Sequence, residues 1–371
     1  MLHTEDEPPL PEGTSVNQCS CNDRPGRNLV VCIDGTSNQF GDKNTNVVEL
    51  YSRLEKSASQ LTYYNSGIGT YATPSWRSLS WWTQVLAHKI DLAIAWRFER
   101  ILLSAYEWLS ENYAEGDRIY LFDLERYSSG FSRGAYQVRV ISGMIAKVGL
   151  IHKGNKDQIP FAYELYAATK HSHSKVTAEQ SATAKCERFK ETFSRPDVKV
   201  HFVGVWDTVS SVGIVRDKTL PDTTTGMKHV CIFRHALALD ERRVKFLPEY
   251  AYGGDGPPQE GTATTGTVQI KEVWFAGSHS DMYVAISSGL HNINQQFSGG
   301  GNVENTDLNR FGPAIRWMSY EAIGSGLKMK PFIGQWKNVA PTTSLTAGWW
   351  PLELLPIRRL SYADASSTDL L

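Results

Sequence analysis

The 371-residue chain is 41% hydrophobic and 11% aromatic, enough apolar mass to bury one large α/β core. Its 38 basic residues nearly balance 39 acidic ones, so at a net charge of −1 no overall field favours nucleic acid or an anionic membrane. The five cysteines are scattered, without a disulfide framework or a tight zinc spacing, and they read as reduced thiols of a cytoplasmic protein.

Residues 1–27 carry early acids, prolines and no apolar h-region, so they read as a disordered leader and not as a secretory signal. Nowhere is there an apolar run of about 18 residues, so no transmembrane helix is expected. From residue 28 the chain alternates. NLVVCIDG (28–35) reads as a strand, TNVVELYSRLEKS (45–57) as a helix and QLTYYNSG (60–67) as a weaker strand. IDLAIAWRFERILLSAYEWLSENY (90–113) repeats its apolar residues at helical spacing, and RIYLF (118–122) is the next strand. Ala135, Val138, Ile141, Ile145 and Val148 then mark a helix face, followed by the helical AYELYAATK (162–170). VKVHFVGVWDT (198–208) and KEVWFAGSH (271–279) read as strands. RHALALDERR (234–243) is helix-like, as are the surroundings of Cys186 and Cys231, and RFGPAIRWMSYEAI (310–323) closes the series as a helix.

Continuous apolarity in short runs indicates strands buried on both faces. Alternating with helices, they give an α/β fold: a mostly parallel central sheet flanked by helices, with right-handed crossovers, in one domain over residues 28–361. A polar tail, 362–371, follows, and the chain is expected to continue beyond it. Long loops at 253–267 and 287–303 interrupt the alternation. Trp349 and Trp350 read as core on burial preference, with a lid or a lipid-facing surface as the alternatives.

In such a sheet, ligands gather where strands end at their carboxyl edge. The residues leaving the strands are Asp34-Gly35-Thr36, then Ser132 in Gly130-Phe131-Ser132-Arg133-Gly134, then Asp207, then His279-Ser280-Asp281. Gly130 and Gly134 permit a tight strand-to-helix turn that lifts the Ser132 hydroxyl, with the Arg133 N–H aimed at a developing oxyanion. Asp207 and His279 follow in the order Ser, Asp, His and supply the acid and base of a triad. Gly35 or Thr36 supplies a second oxyanion N–H, or the loop is simply an Asx-type turn. His201, His235 and His291 compete as base, and Asp281 competes as acid. A metal held by Asp34, Asp207, His279 and Asp281 lacks any close ligand pair, and no phosphate-binding loop is present; no cofactor or metal is expected.

CIDGTSNQFGDKNTNV, GFSRGAYQVR, GVWDTV, FRHALALDERR, VWFAGSHSD and RFGPAIRWMSYEA together resemble the fungal branch of an α/β-hydrolase-like family named after type VI secretion phospholipase effectors. The resemblance runs over roughly residues 28–361. It implies a serine hydrolase fold, with the lipase or esterase activity of the family's bacterial members and an ester or lipid substrate met through peripheral membrane contact; the near-neutral charge gives no reason for a nucleic-acid partner. It points to Ser132, Asp207 and His279, matching the assignment from the residues. Two runs depart from the family pattern. Residues 123–129 stand between strand and elbow, and 283–298 follow the His279 motif. They are insertions that displace the nucleophile, leaving a non-catalytic binding module, or gene-model errors such as translated intron, or the seven residues bulge out with Ser129 and Gly130 re-entering the strand end.

Overall fold

The computed structural model describes residue 21 and residues 26–34, 45–66, 83–124, 134–169, 176–206, 220–242, 248–253, 268–277, 312–331, 358–360 and 368–370. In chain order the elements are β1 (Asn28–Ile33), α1 (Asn46–Arg53), β2 (Gln60–Asn65), α2 (Thr83–Asn112), β3 (Arg118–Leu124), α3 (Gly134–Val148) and β4 (Leu150–Ile151). There follow α4 (Ile159–Ala168), α5 (Val176–Phe193), β5 (Ser194–Arg195), β6 (Val200–Trp206), β7 (Val230–Ala238), β8 (Gln269–Phe275), α6 (Pro313–Gly324), β9 (Arg358–Leu360) and β10 (Thr368–Leu370).

Six strands form one sheet in the order β2-β1-β3-β6-β7-β8, and every pairing in it is parallel. β4 with β5, and β9 with β10, form small antiparallel pairs. The continuous apolarity of the inner strands has the expected cause. Leu29, Val31 and Ile33 of β1 enter a core with α2, α3, α4 and α5, while Val30 and Cys32 enter a second core with α1 and α6 on the opposite face. Gly204 of β6 lets α6 come close: a Cβ there would stand 2.8 Å from Met318 Sδ and from the Phe122 ring.

Three sequence expectations are corrected. RHALALDERR is not helical, because its first half is the end of β7, buried along its whole length as a central strand. Its charges are satisfied inside: Arg234 donates to Glu321 Oε2 at 2.5 Å and to the Phe233 and Gln269 carbonyls. Buried, paired charges break the apolar run that marks such a strand, and Cys231 consequently lies in β7. β3 also continues past Phe122, with Asp123 in register with Ile33 and Val205, and Leu124 with Trp206. Of the cysteines, Cys21, Cys32 and Cys186 are in no disulfide, but Cys231 is disulfide-bonded, its partner lying outside the described residues. The expectation of reduced thiols throughout therefore fails at Cys231. Among the described residues no helix is long and apolar enough to cross a membrane.

Candidate active site at the carboxyl edge of the sheet

Because all six strands run parallel, their carboxyl ends lie along one edge. β1 leads through Asp34 to Gly35 and Thr36, β3 leads toward Ser132, Trp206 of β6 precedes Asp207, and β8 leads through Gly277 toward His279. Gly35, Thr36, Gly130, Ser132, Arg133, Asp207, His279, Asp281 and His291 lie outside the described residues, as do residues 125–129, 283–298 and Trp349-Trp350. Gly134 is the first residue of α3. The frame around these positions is described and consists of three parts.

Asp34, 1% exposed, holds the first. Its Oδ2 accepts from the Thr45 hydroxyl at 3.0 Å and the Tyr64 phenol at 2.9 Å, and its N–H donates to the Asn65 carbonyl. Thr45 in turn caps α1, its Oγ1 accepting from the Val48 N–H at 3.2 Å. Asp34 and Thr45 are the residues on either side of 35–44, so one carboxylate ties both ends of the candidate oxyanion loop to β2. Burial first, and then the Asp34 charge, push the Tyr64 phenol above its usual range, so it stays a hydrogen-bond donor. With two hydroxyls on Oδ2, Asp34 serves as a loop tie, a role the sequence reading did not give it.

The second part is the β3–α3 pair. α3 begins two residues beyond Ser132, so its unsatisfied first-turn N–H groups and the positive end of its dipole belong to this edge. The helix cannot easily slide: Gln137 donates to the Phe98 carbonyl of α2 at 3.4 Å, and Val138, Ile141 and Ile145 are buried in the larger core. Beside it, Trp206 at the end of β6 is fully buried against Phe122, ring centroids 6.4 Å apart. Asp207 is the next residue.

The third part is the end of β7 and β8. The Leu239 N–H donates to the Phe275 carbonyl and the Asp240 N–H to the Gly277 carbonyl, each at 2.9 Å. The Gly277 N–H donates back to Asp240 Oδ2 at 2.7 Å. Gly277 has φ +126°, which a residue with a Cβ resists. Asp240 thus fixes the turn two residues before His279. Sequence reasoning missed it because RHALALDERR was assigned to a helix.

The described histidines do not suit the role of base. His235 is fully buried in β7, its Nδ1 2.9 Å from Glu272 Oε1, with Arg139 of α3 at 3.5 Å. Burial would raise the Glu272 carboxyl, but the hydrogen bond and charge of His235 outweigh it and hold it below its usual value. Arg139 also donates to the Thr223 and Glu249 carbonyls and lies 5.0 Å over the Phe233 ring. Near it, burial pushes the Glu249 carboxyl up to about 7, against the pull of Arg139. His201, near the amino end of β6, donates from Nε2 to the Ser325 carbonyl, and burial lowers it to about 4. A Ser142–His229 contact of 2.8 Å imitates half a triad. However, His229 precedes β7 at the opposite edge, and the Ser142 hydroxyl is donated to the Arg139 carbonyl.

The family model described as T6SS, phospholipase effector Tle1-like, catalytic domain, matches residues 27–321. The chain belongs to that Tle1-like family. Arg27, where the match opens, is itself fixed to the domain by a salt bridge with buried Asp117, N to O 2.7 Å. The uncharacterized protein YEL023C of Saccharomyces cerevisiae is 38% identical over 229 residues, covering 60% of this chain and 32% of the yeast protein. A crystal structure of an uncharacterized protein from Pseudomonas aeruginosa aligns with 82% of this chain and 46% of its own, at 14% identity and a TM-score of 0.37. The Tle1-like chain thus spans about a third of the yeast relative and less than half of the bacterial one.

Proposed function

We propose that this Tle1-like chain is a serine ester hydrolase of phospholipase type. Ser132 Oγ attacks the ester carbonyl while His279 takes its proton, and Asp207 orients the imidazole. The N–H groups of Arg133 and of the Gly35-Thr36 loop stabilise the oxyanion. His279 then protonates the leaving alcohol, and water drawn through the same base releases the acid and restores Ser132. The observation that carries the reading is the parallel sheet: β3, β6 and β8 end on one edge, and each leads in the chain into one of the three residues. The family supports the substrate class, a lipid ester met at a membrane surface by peripheral contact.

A second reading, a non-catalytic binding module, is favoured by the extension of β3. Residues 125–133 separate its end from α3, a longer path than a direct strand-to-helix elbow. Fluorophosphonate labelling of the folded chain, with the modified residue located by mass spectrometry, separates the two. Labelling at Ser132, abolished in Ser132→Ala, is expected, together with release of fatty acid from phosphatidylcholine vesicles. A folded chain without labelling selects the binding module. Asp207→Asn is expected to cut turnover severely; full activity in that variant transfers the acid's role to Asp281.

A further inference from the structure

At the other end of the sheet, away from the candidate catalytic edge, three metal-ligating side chains from distant parts of the chain meet. Cys21, His201 and Cys231 place one ligand atom each within 4.8 Å of the others. The two sulfurs are 3.5 Å apart across 210 residues of sequence. His201 is in β6 and Cys231 in its neighbour β7, between the paired positions Val200–Val230 and Phe202–Ile232. The histidine carries the decisive detail. Its Nε2 donates to the Ser325 carbonyl at 3.0 Å, a tautomer that leaves the lone pair on Nδ1, and Nδ1 is buried with no hydrogen-bond partner among the described residues. A carbonyl holding the far N–H of an imidazole is the usual second contact of a metal-bound histidine. The same carbonyl accepts from Tyr120, whose ring meets the imidazole edge-on at 5.2 Å, so the histidine's orientation is set from two sides.

The geometry points to a structural zinc site formed by Cys21, His201 and Cys231. Tetrahedral zinc with sulfur at about 2.3 Å and nitrogen at about 2.0 Å puts its ligands roughly 3.5–3.8 Å apart, the spacing of the two sulfurs here. A mixed sulfur and nitrogen set selects zinc over the oxygen-seeking magnesium or calcium. The site ties the segment around Cys21 to the amino edge of the central strands, as a closed structural site does in small folds. The three side chains fill three of the four tetrahedral positions. Metal loading requires Cys231 reduced. Two equivalents of a monothiol such as glutathione cleave its disulfide, giving two protein thiols and one oxidised glutathione, and each ligating thiol releases its proton as it binds zinc.

The test uses the full chain, purified with a phosphine reductant and without chelator. Elemental analysis is expected to find about one zinc per chain, and cobalt exchange to give the thiolate charge-transfer band and intense visible bands of a tetrahedral site. Cys21→Ser and Cys231→Ser are expected to weaken the thiolate band. Because Cys231→Ser could unfold the chain, the cobalt spectrum of the unmutated protein decides independently. A folded, reduced chain without zinc, or an undiminished thiolate band in the Cys21→Ser, Cys231→Ser double variant, overturns the assignment. Fluorophosphonate labelling at Ser132 is not the readout, so the two proposals fail separately.

Discussion

Gly204→Ala probes the joint on which the Asp207 end of β6 rests. The added Cβ would lie 2.8 Å from Met318 Sδ and 2.8 Å from Phe122 Cδ1, closer than real Cβ contacts come. Both neighbours are fully buried, and Phe122 is also the register partner of Gly204 on β3, so neither has an empty side to move into. Overpacking of this kind costs about 1–3 kcal/mol. Against it stands a gain of about 0.4–1 kcal/mol from restricting the unfolded chain, since Gly204 has no positive φ to lose. The net expectation is a loss of about 1–2 kcal/mol, read as a lower urea midpoint with an unchanged slope. Met318→Ala alone should cost about 2–5 kcal/mol, but about 1 kcal/mol less when Gly204→Ala already fills part of the space. A Gly204→Ala protein as stable as the parent, or strict additivity in the double variant, would refute the close approach of α6 to β6.

Asp34→Ala removes the acceptor of two buried hydroxyls and should cost about 2–3 kcal/mol, with ester turnover falling roughly a hundredfold for each ångström the 35–44 loop moves; unchanged kcat in a folded variant would disconnect the loop from catalysis. Asp240→Ala releases the Gly277 N–H and should lower kcat about tenfold with little change in KM, while Asp240→Asn, which keeps an acceptor oxygen, recovers most of it. Equal rates in both variants count against the clamp. The pH dependence has two opposed parts. Burial raises Glu249 from 4.5 to about 7, so the fold favours its proton, and its contribution is full below pH 4.5 and lost as pH rises to 7, a swing of roughly 3 kcal/mol. Burial lowers His229 from 6.5 to about 4, so its contribution is full above 6.5 and lost as pH falls toward 4. Glu249→Gln removes only the first, and the stability of the variant between pH 4.5 and 7 should climb more steeply than the parent's; parallel curves would show Glu249 to be ionised in the fold.

The inner strands β1, β3 and β6 were legible because each carries an unbroken apolar run. β1, β3 and β6 bury both faces in hydrophobic company, and the run of side chains says so. β7 is buried just as deeply, but its Arg234 and His235 find partners in Glu321 and Glu272, which come from elements 87 and 37 residues away. No local window contains those partners, so two charged residues in a central strand look like a helix's polar face. The same distance hid the Cys21, His201 and Cys231 meeting, because zinc spacing is recognisable only when ligands are near in sequence. At the carboxyl edge the motifs supplied the proposed triad, while the anchoring roles of Asp34 and Asp240 came only from their contacts, with Thr45 and Tyr64 and with the Gly277 N–H.

The extension of β3 bears on whether an interrupted elbow can work. Had the run 123–129 broken the strand, α3 would have lost its reference to the sheet. Instead Asp123 and Leu124 keep register with Val205 and Trp206, and α3 is held against α2 by Gln137 and against β7 by Arg139. Of that run, residues 125–129 come after the end of β3, and the strand end and helix start on either side of 125–133 are each fixed by other contacts. A loop lengthened between two fixed points costs little closure entropy. On the proposed reading, with Ser132 as nucleophile, the run is expected to act on the fraction of chains with the hydroxyl in place and not on the stability of the fold. Deleting residues 125–129 should therefore raise the rate of fluorophosphonate labelling while leaving the urea midpoint nearly unchanged. A slower reaction after deletion would mean that the inserted residues have become part of the elbow.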